Sequence, residues 1–304
     1  MRGRLFAVVV AGLSLCLICL TPRTVSAATQ KISMTPGAVN EVVLPGSVTK
    51  GSFEVSDVGQ TRFTFHAFVS PYSVIGESYT PDFTPIPGHQ SVTSWLQLAT
   101  AQATLQPNQS ATVYYTLTVP RATLPGGYYG VAFAQTQLPS ATSHGVTVNE
   151  RVGCIFYIQV AGPAKQSGKV LSWQTNVLQK PPLVATLRLE DSGSVHYTSD
   201  ITVTVRDIFG TPKYSFQAEK IILPQTIRKI IITSGSLPGL ALLKVNGTAT
   251  VFRQTDALPT RYVLIMTKTT KLVGVIIAFA LIALVVLRYG LRAVRSGRKF
   301  KRRP

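Results

Sequence analysis

Cysteine is nearly missing from this 304-residue chain: there are three, and only Cys154 falls between residues 28 and 271. An intrachain disulfide is excluded there, so stability has to come from packed apolar cores. Acids are scarce as well, 12 against 30 Lys and Arg. The four histidines (His66, His89, His144 and His196) stand alone, none at a metal-ligand spacing from another His, Cys or acid. No Gly-x-Ser-x-Gly elbow, phosphate loop or dinucleotide fingerprint occurs. These gaps leave no catalytic residue, no cofactor and no metal to expect, and the chain reads as a non-enzyme.

What is present begins at the ends. Arg2 and Arg4 open an apolar run from Leu5 to Leu20 that closes on Val25-Ser26-Ala27. This is the pattern of a secretory signal peptide over residues 1–27, an uncleaved N-terminal anchor being the alternative. A second apolar run, Leu272 to Leu287, lies between Lys271 and Arg288. As a helix it spans roughly 24 Å, and snorkelling of the flanking cations with Tyr289 and Leu291 extends it towards a bilayer's width. We therefore expect one transmembrane helix over 272–291. Eight basic residues from Arg288 to Arg303, with no acid among them, place the tail 292–304 in the cytoplasm. The expected location is the cell membrane, single-pass, with the bulk of the chain outside.

That topology also explains much of the charge. Eight of the 30 cations lie from Arg288 onward and three in the first 27 residues, leaving 19 against 12 acids between them. The remainder is spread thinly, without a basic helix or an aromatic-basic repeat, and argues against a nucleic-acid partner.

From residue 28 to 266 the apolar period is that of strands. Residues 63, 65, 67 and 69 share a face, as do 113, 115, 117 and 119, then 183, 185, 187 and 189, then 201, 203 and 205. Turn-forming clusters separate them, among them Pro45-Gly46, Pro107-Asn108-Gln109-Ser110 and Asp191-Ser192-Gly193. Short strands at this spacing predict an all-β ectodomain of two immunoglobulin-like β-sandwiches, 28–162 and 163–266, divided near Ala161-Gly162-Pro163. Residues 267–271 would be a short stalk. Cys154 shares its strand face with Val152, Phe156 and Ile158 and reads as a buried small hydrophobe. Asn108-Gln109-Ser110 and Asn246-Gly247-Thr248 read as turns, and Tyr129, Val131 and Phe133 line one strand face after Gly126-Gly127.

The stretch Ser70 to Ser94 reads as a long irregular loop with four prolines, and loops of that length in packed domains are often functional. Its aromatics Tyr72, Tyr79 and Phe83 are the candidate partner-binding residues. A packed excursion with no ligand is the equal alternative.

A run of short motifs adds a resemblance. Leu44-Pro45-Gly46 precedes Gly51-Ser52-Phe53-Glu54-Val55-Ser56-Asp57-Val58-Gly59; Trp95-Leu96, Leu105-Gln106-Pro107 and Val119-Pro120 follow. Pro125-Gly126-Gly127-Tyr128-Tyr129, Arg151-Val152-Gly153, Asp191-Ser192-Gly193-Ser194-Val195-His196 and Asp207-Ile208-Phe209-Gly210 complete the order. The series resembles the WxL-interacting proteins and related bacterial surface proteins over about residues 35 to 265. The resemblance implies two immunoglobulin-like domains, one membrane anchor, and a WxL-type surface protein or peptidoglycan as partner. Asp191 departs from it, since those relatives often have an Asn-x-Gly turn there. The expected function is a membrane-anchored tether for a partner protein or wall polymer. The alternative is a chaperone-like assembly factor for surface proteins or pili, which would donate a strand edge to its clients.

Overall fold

The computed structural model describes residues 31–85, 90–137 and 149–300, with side chains as far as Tyr289. The expected signal peptide, Pro87, His89, His144 and the side chains of the basic tail lie outside the described residues. Within them the molecule is all-β, followed by one apolar helix.

In the N-terminal half, β1 (Ile32–Thr35), β3 (Val48–Asp57), β9 (Ser110–Thr118) and β7 (Leu96–Leu98) form a four-stranded sheet in that order. A five-stranded sheet follows the order β2 (Ala38–Val43), β11 (Arg151–Val160), β10 (Gly126–Thr136), β4 (Phe63–Pro71), β8 (Gln102–Leu105). The alternating residues of the two sheets meet in one core that includes Phe53, Phe65, Leu117, Phe156 and Ile158. Cys154 is in the same core, with its thiol pushed up to about 12 by burial.

In the C-terminal half, β12 (Gly168–Thr175), β14 (Val184–Asp191) and β17 (Thr226–Thr233) make a three-stranded sheet. Opposite it lie β13 (Leu178–Gln179), β19 (Gln254–Met266), β18 (Leu240–Val251), β15 (Tyr197–Asp207) and β16 (Pro212–Ile222), in that order. Leu187, Leu189, Ile201, Val203 and Leu243 fill the space between. No strand is shared between the halves. Every neighbouring pair is antiparallel except β2–β11 and β13–β19.

Two local readings differ from the sequence expectation. Asn108 does occupy a turn, with φ 64°, but Asn246-Gly247-Thr248 lies inside β18. A bulge between Val245 and Gly247 sits there, and a side chain at 247 would run into the Thr202 carbonyl of β15. Glycine marks a close backbone approach at this position, a role that sequence cannot separate from a turn. The stretch from Ser70 is irregular only in part. It contains a hairpin, β5 (Ser73–Ile75) paired with β6 (Thr80–Asp82), closed by Gly76 and Tyr79 at φ 65° and 59°. Pro81 conceals the strand in sequence, yet a two-stranded ribbon has an open side on which a missing N–H is tolerated.

The helix α1 (Lys268–Phe300) starts one residue after β19. Its first 22 residues, Lys268–Tyr289, contain an 18-residue stretch of mean hydropathy 2.7, none of it buried, and are long and apolar enough to cross a membrane.

Candidate functional site

The two halves meet on the outer face of the five-stranded N-terminal sheet. Tyr129, Val131 and Phe133 of β10 do share that face, and with Tyr72, Tyr157 and Leu223 they form a third apolar cluster. Gly127 makes room for it, because a Cβ there would strike the Tyr129 ring and hydroxyl. Gly127 N–H donates to the Ser194 carbonyl at 2.9 Å. His196 N–H donates to the Tyr129 hydroxyl at 3.2 Å, and that hydroxyl lies 3.1 Å from His196 Nδ1. His196 Nε2 is 3.1 Å from Asn40 Oδ1. Burial lowers the His196 pKa to about 4, so the ring is neutral at pH 7. The hydroxyl then donates to Nδ1, and Nε2–H donates to Asn40. Burial raises the Tyr129 phenol far above its ordinary range.

The hairpin β5–β6 closes the junction from the side. Arg188 bonds both carboxylate oxygens of Glu77, with Nε to Oε2 at 2.7 Å. That bond holds the Glu77 carboxyl below the usual range. The Glu77 carbonyl accepts the Lys229 N–H at 2.8 Å. The Tyr79 hydroxyl accepts Leu223 N–H at 2.8 Å and bonds Thr226 Oγ1, while the Arg228 guanidinium lies 4.4 Å from the Tyr79 ring centre.

The candidate residues of the sequence therefore have distinct places. Tyr72 is buried, edge-on to Tyr157. Tyr79 is half-buried against the C-terminal half. Phe83 packs edge-on to Phe133 at 4.8 Å and keeps 36 % of its surface exposed. The Tyr129–His196–Asn40 chain and the Glu77–Arg188 pair have no signature in the sequence. Their partners lie 67, 156 and 111 residues away, and no local motif joins them.

Between the hairpin and the C-terminal half lies a cleft of about 500 Å³. Val74 and Ile75 face Leu223 and Pro224 across it, and Tyr129 reaches its floor. Ser73 Oγ is buried in its wall without a hydrogen-bond partner. Among the described residues no group of His, Cys, Asp and Glu could hold a metal ion.

A second feature is the free edge of β2. Among the described residues only β11 pairs with it, so Ala38, Asn40 and Val42 lie along an unpaired side, and the Val42 side chain is 67 % exposed. Other edge strands of comparable length carry the usual protection against further pairing. On β16 these are Pro212, Lys213 and Lys220; on β12 they are Lys169 and a bulge after Val170. On β17 they are Arg228, Lys229 and the Glu77 carbonyl. Within β2 the one charged residue is Glu41, whose position in the alternation is that of the inward-facing Val39 and Val43.

No family model and no curated protein matches the chain. Solved structures do. The E. coli chaperone DraB is 14 % identical and aligns over 78 % of this chain and 98 % of its own, with TM-score 0.37. The Salmonella enterica SafA pilin in complex with the SafB chaperone gives 10 %, 78 %, 97 % and 0.38. The CsuC–CsuE chaperone–tip adhesion subunit pre-assembly complex of Acinetobacter baumannii gives 13 %, 79 %, 100 % and 0.38. These neighbours correct the expectation of a tether whose partner is a WxL-type surface protein or a wall polymer. They are chaperones, two of them described in complex with a pilin or a tip subunit.

Proposed function

We propose that the chain is a chaperone-like assembly factor for exported surface proteins or pilus subunits, without enzymatic activity. In this reading residues 28–162 and 163–266 are two immunoglobulin-like units. The helix α1 fixes them to the cell membrane with the basic tail inside, near the point where clients emerge. The observation that supports it is the open edge of β2, six residues of sheet left without a cation, proline or bulge and carrying an exposed valine. An edge without a cation, proline or bulge is a template for an incoming strand, and backbone pairing accepts many client sequences.

The test uses a pilin subunit deprived of the strand segment that normally completes it, which aggregates alone. The wild-type chain is expected to keep it soluble and co-elute with it. Val42→Lys puts a charge on the edge at an exposed site, so folding should be unchanged while capture is lost. Equal capture by Val42→Lys and wild type would refute the assignment of this edge to clients.

A further inference from the structure

We infer that the end of the C-terminal half nearest α1 is a docking surface for the membrane itself, with an anionic lipid surface as its occupant. The inference rests on the reading of α1 as a membrane span and goes beyond it, since a span alone does not require the folded part to touch lipid.

The strand register brings the residues together. Leu240 of β18 pairs with Met266, the last residue of β19, and Leu178 of β13 pairs with Leu264. Asp207 of β15 pairs with Leu243, so the turn after it, Ile208-Phe209, extends level with the end of β19. Two strand spacings separate β15 from β19, about 10 Å. All three structures therefore end beside the start of α1. Each ends in exposed apolar side chains: Val177 (73 % exposed) and Leu178, Ile208 and Phe209 (88 %), Leu240 and Leu242. Elsewhere the same outward face carries Thr198, Asp200, Thr202, Thr204, Thr248 and Thr250. The exposed large apolar side chains of this face gather at the end where the helix leaves.

Charge and tethering agree with this location. Arg206 and Lys244 are register partners next to Ile208 and Leu242, Lys180 follows Leu178 by two residues, and Lys268 and Lys271 lie in the first turn of α1, while the acid at this end, Asp207, is paired with Lys213 at 3.1 Å. Apolar side chains with cations beside them suit the boundary between acyl chains and anionic headgroups. Nor is there a linker to hold the face away. Thr267 alone separates β19 from α1, its N–H donates to the Gly239 carbonyl at 2.9 Å, and Thr270 Oγ1 bonds the same carbonyl at 3.2 Å. The first turn of the span is thus fastened to the loop that begins β18.

The experiment places single fluorophores on the full chain in vesicles containing anionic and bromine-labelled lipid. Cys16→Ser and Cys19→Ser remove the other two thiols of the sequence, and Cys154 is fully buried. Labels go on Phe209→Cys and Leu242→Cys at the proposed surface, on Tyr114→Cys at an exposed site of the N-terminal half, and on Phe279→Cys within α1. The expected result is loss of fluorescence at 209, 242 and 279, with none at 114. Quenching at 279 alone would show that α1 enters lipid while the face stays clear, which overturns the docking inference and leaves the span. No quenching at 279 would refute the span and the inference together.

Discussion

Asp191 and His196 stand on the same side of the junction and respond to burial in opposite senses. Burial raises the Asp191 carboxyl from 3.8 to about 7, against the pull of the Gly193 N–H it accepts. It lowers His196 from 6.5 to about 4. A raised native pKa means stability that is full below 3.8 and is lost as pH rises through 7. A lowered one means stability present above 6.5 and lost as pH falls through 4. Between these limits the two slopes oppose each other, and above 6.5 only the penalty of the ionised Asp191 remains. Asp191 Oδ2 has no partner, so the charge is poorly compensated. Asp191→Asn keeps an acceptor for Gly193 and removes the charge. It is expected to stabilise the protein by roughly 1–2 kcal/mol at pH 8, a rise of about 2–4 °C per kcal/mol. The gain should vanish at pH 4, where the native carboxyl is already neutral; thermal melts at the two pH values decide it, and an equal gain at both would refute the burial argument. The sequence marked Asp191 as a turn residue and His196 as isolated. Nothing in it could show the burial, because the groups responsible come from strands far away along the chain.

Among the elements, the β5–β6 hairpin shows how far a pattern can be read. Proline and aromatic content mark the segment, and Tyr72, Tyr79 and Phe83 stand in it as large apolar side chains. Their contacts depend on which surface the hairpin lies against, which no local spacing encodes. In the structure the Tyr79 hydroxyl is the acceptor for Leu223 N–H. Tyr79→Phe would leave that donor without its partner, a cost of about 1–2 kcal/mol. Tyr79→Ser removes the ring as well, uncovering part of Leu223 and freeing Arg228, and is expected to cost more. The order of melting temperatures, wild type above Tyr79→Phe above Tyr79→Ser, checks this; a Tyr79→Phe melt identical to wild type would exclude the hydrogen bond. The strands were easier to read than the hairpin. The faces at 63–69, 113–119, 183–189 and 201–205 alternate as the residues do, because one side of each faces a core. The free edge of β2 was not legible, since a sequence does not say which strand ends a sheet.

For the molecule as a whole, the question is whether the two halves behave as one thermodynamic unit. Each has its own core, and contacts between halves of a chain are often weak enough to allow independent unfolding. Here the third cluster takes Leu223 from the C-terminal half into a group supplied otherwise by the N-terminal half. The Tyr129–His196–Asn40 chain, the Gly127–Ser194 bond and the Glu77–Arg188 pair cross the same boundary. Leaving buried members of such a network unpaired costs about 1–3 kcal/mol each, so separating the halves is expensive compared with a total stability of about 5–15 kcal/mol. Heating the full chain in detergent should therefore give one calorimetric transition over both halves, with calorimetric and van't Hoff enthalpies in agreement. The triple change Glu77→Ala, Tyr79→Ser and Leu223→Ser removes contacts at the junction and leaves both main cores untouched. It is expected to split the transition into two. A wild-type protein that already melts in two steps would show that the junction contributes less than the difference in stability between the halves, and the cleft would then have to be treated as one that opens.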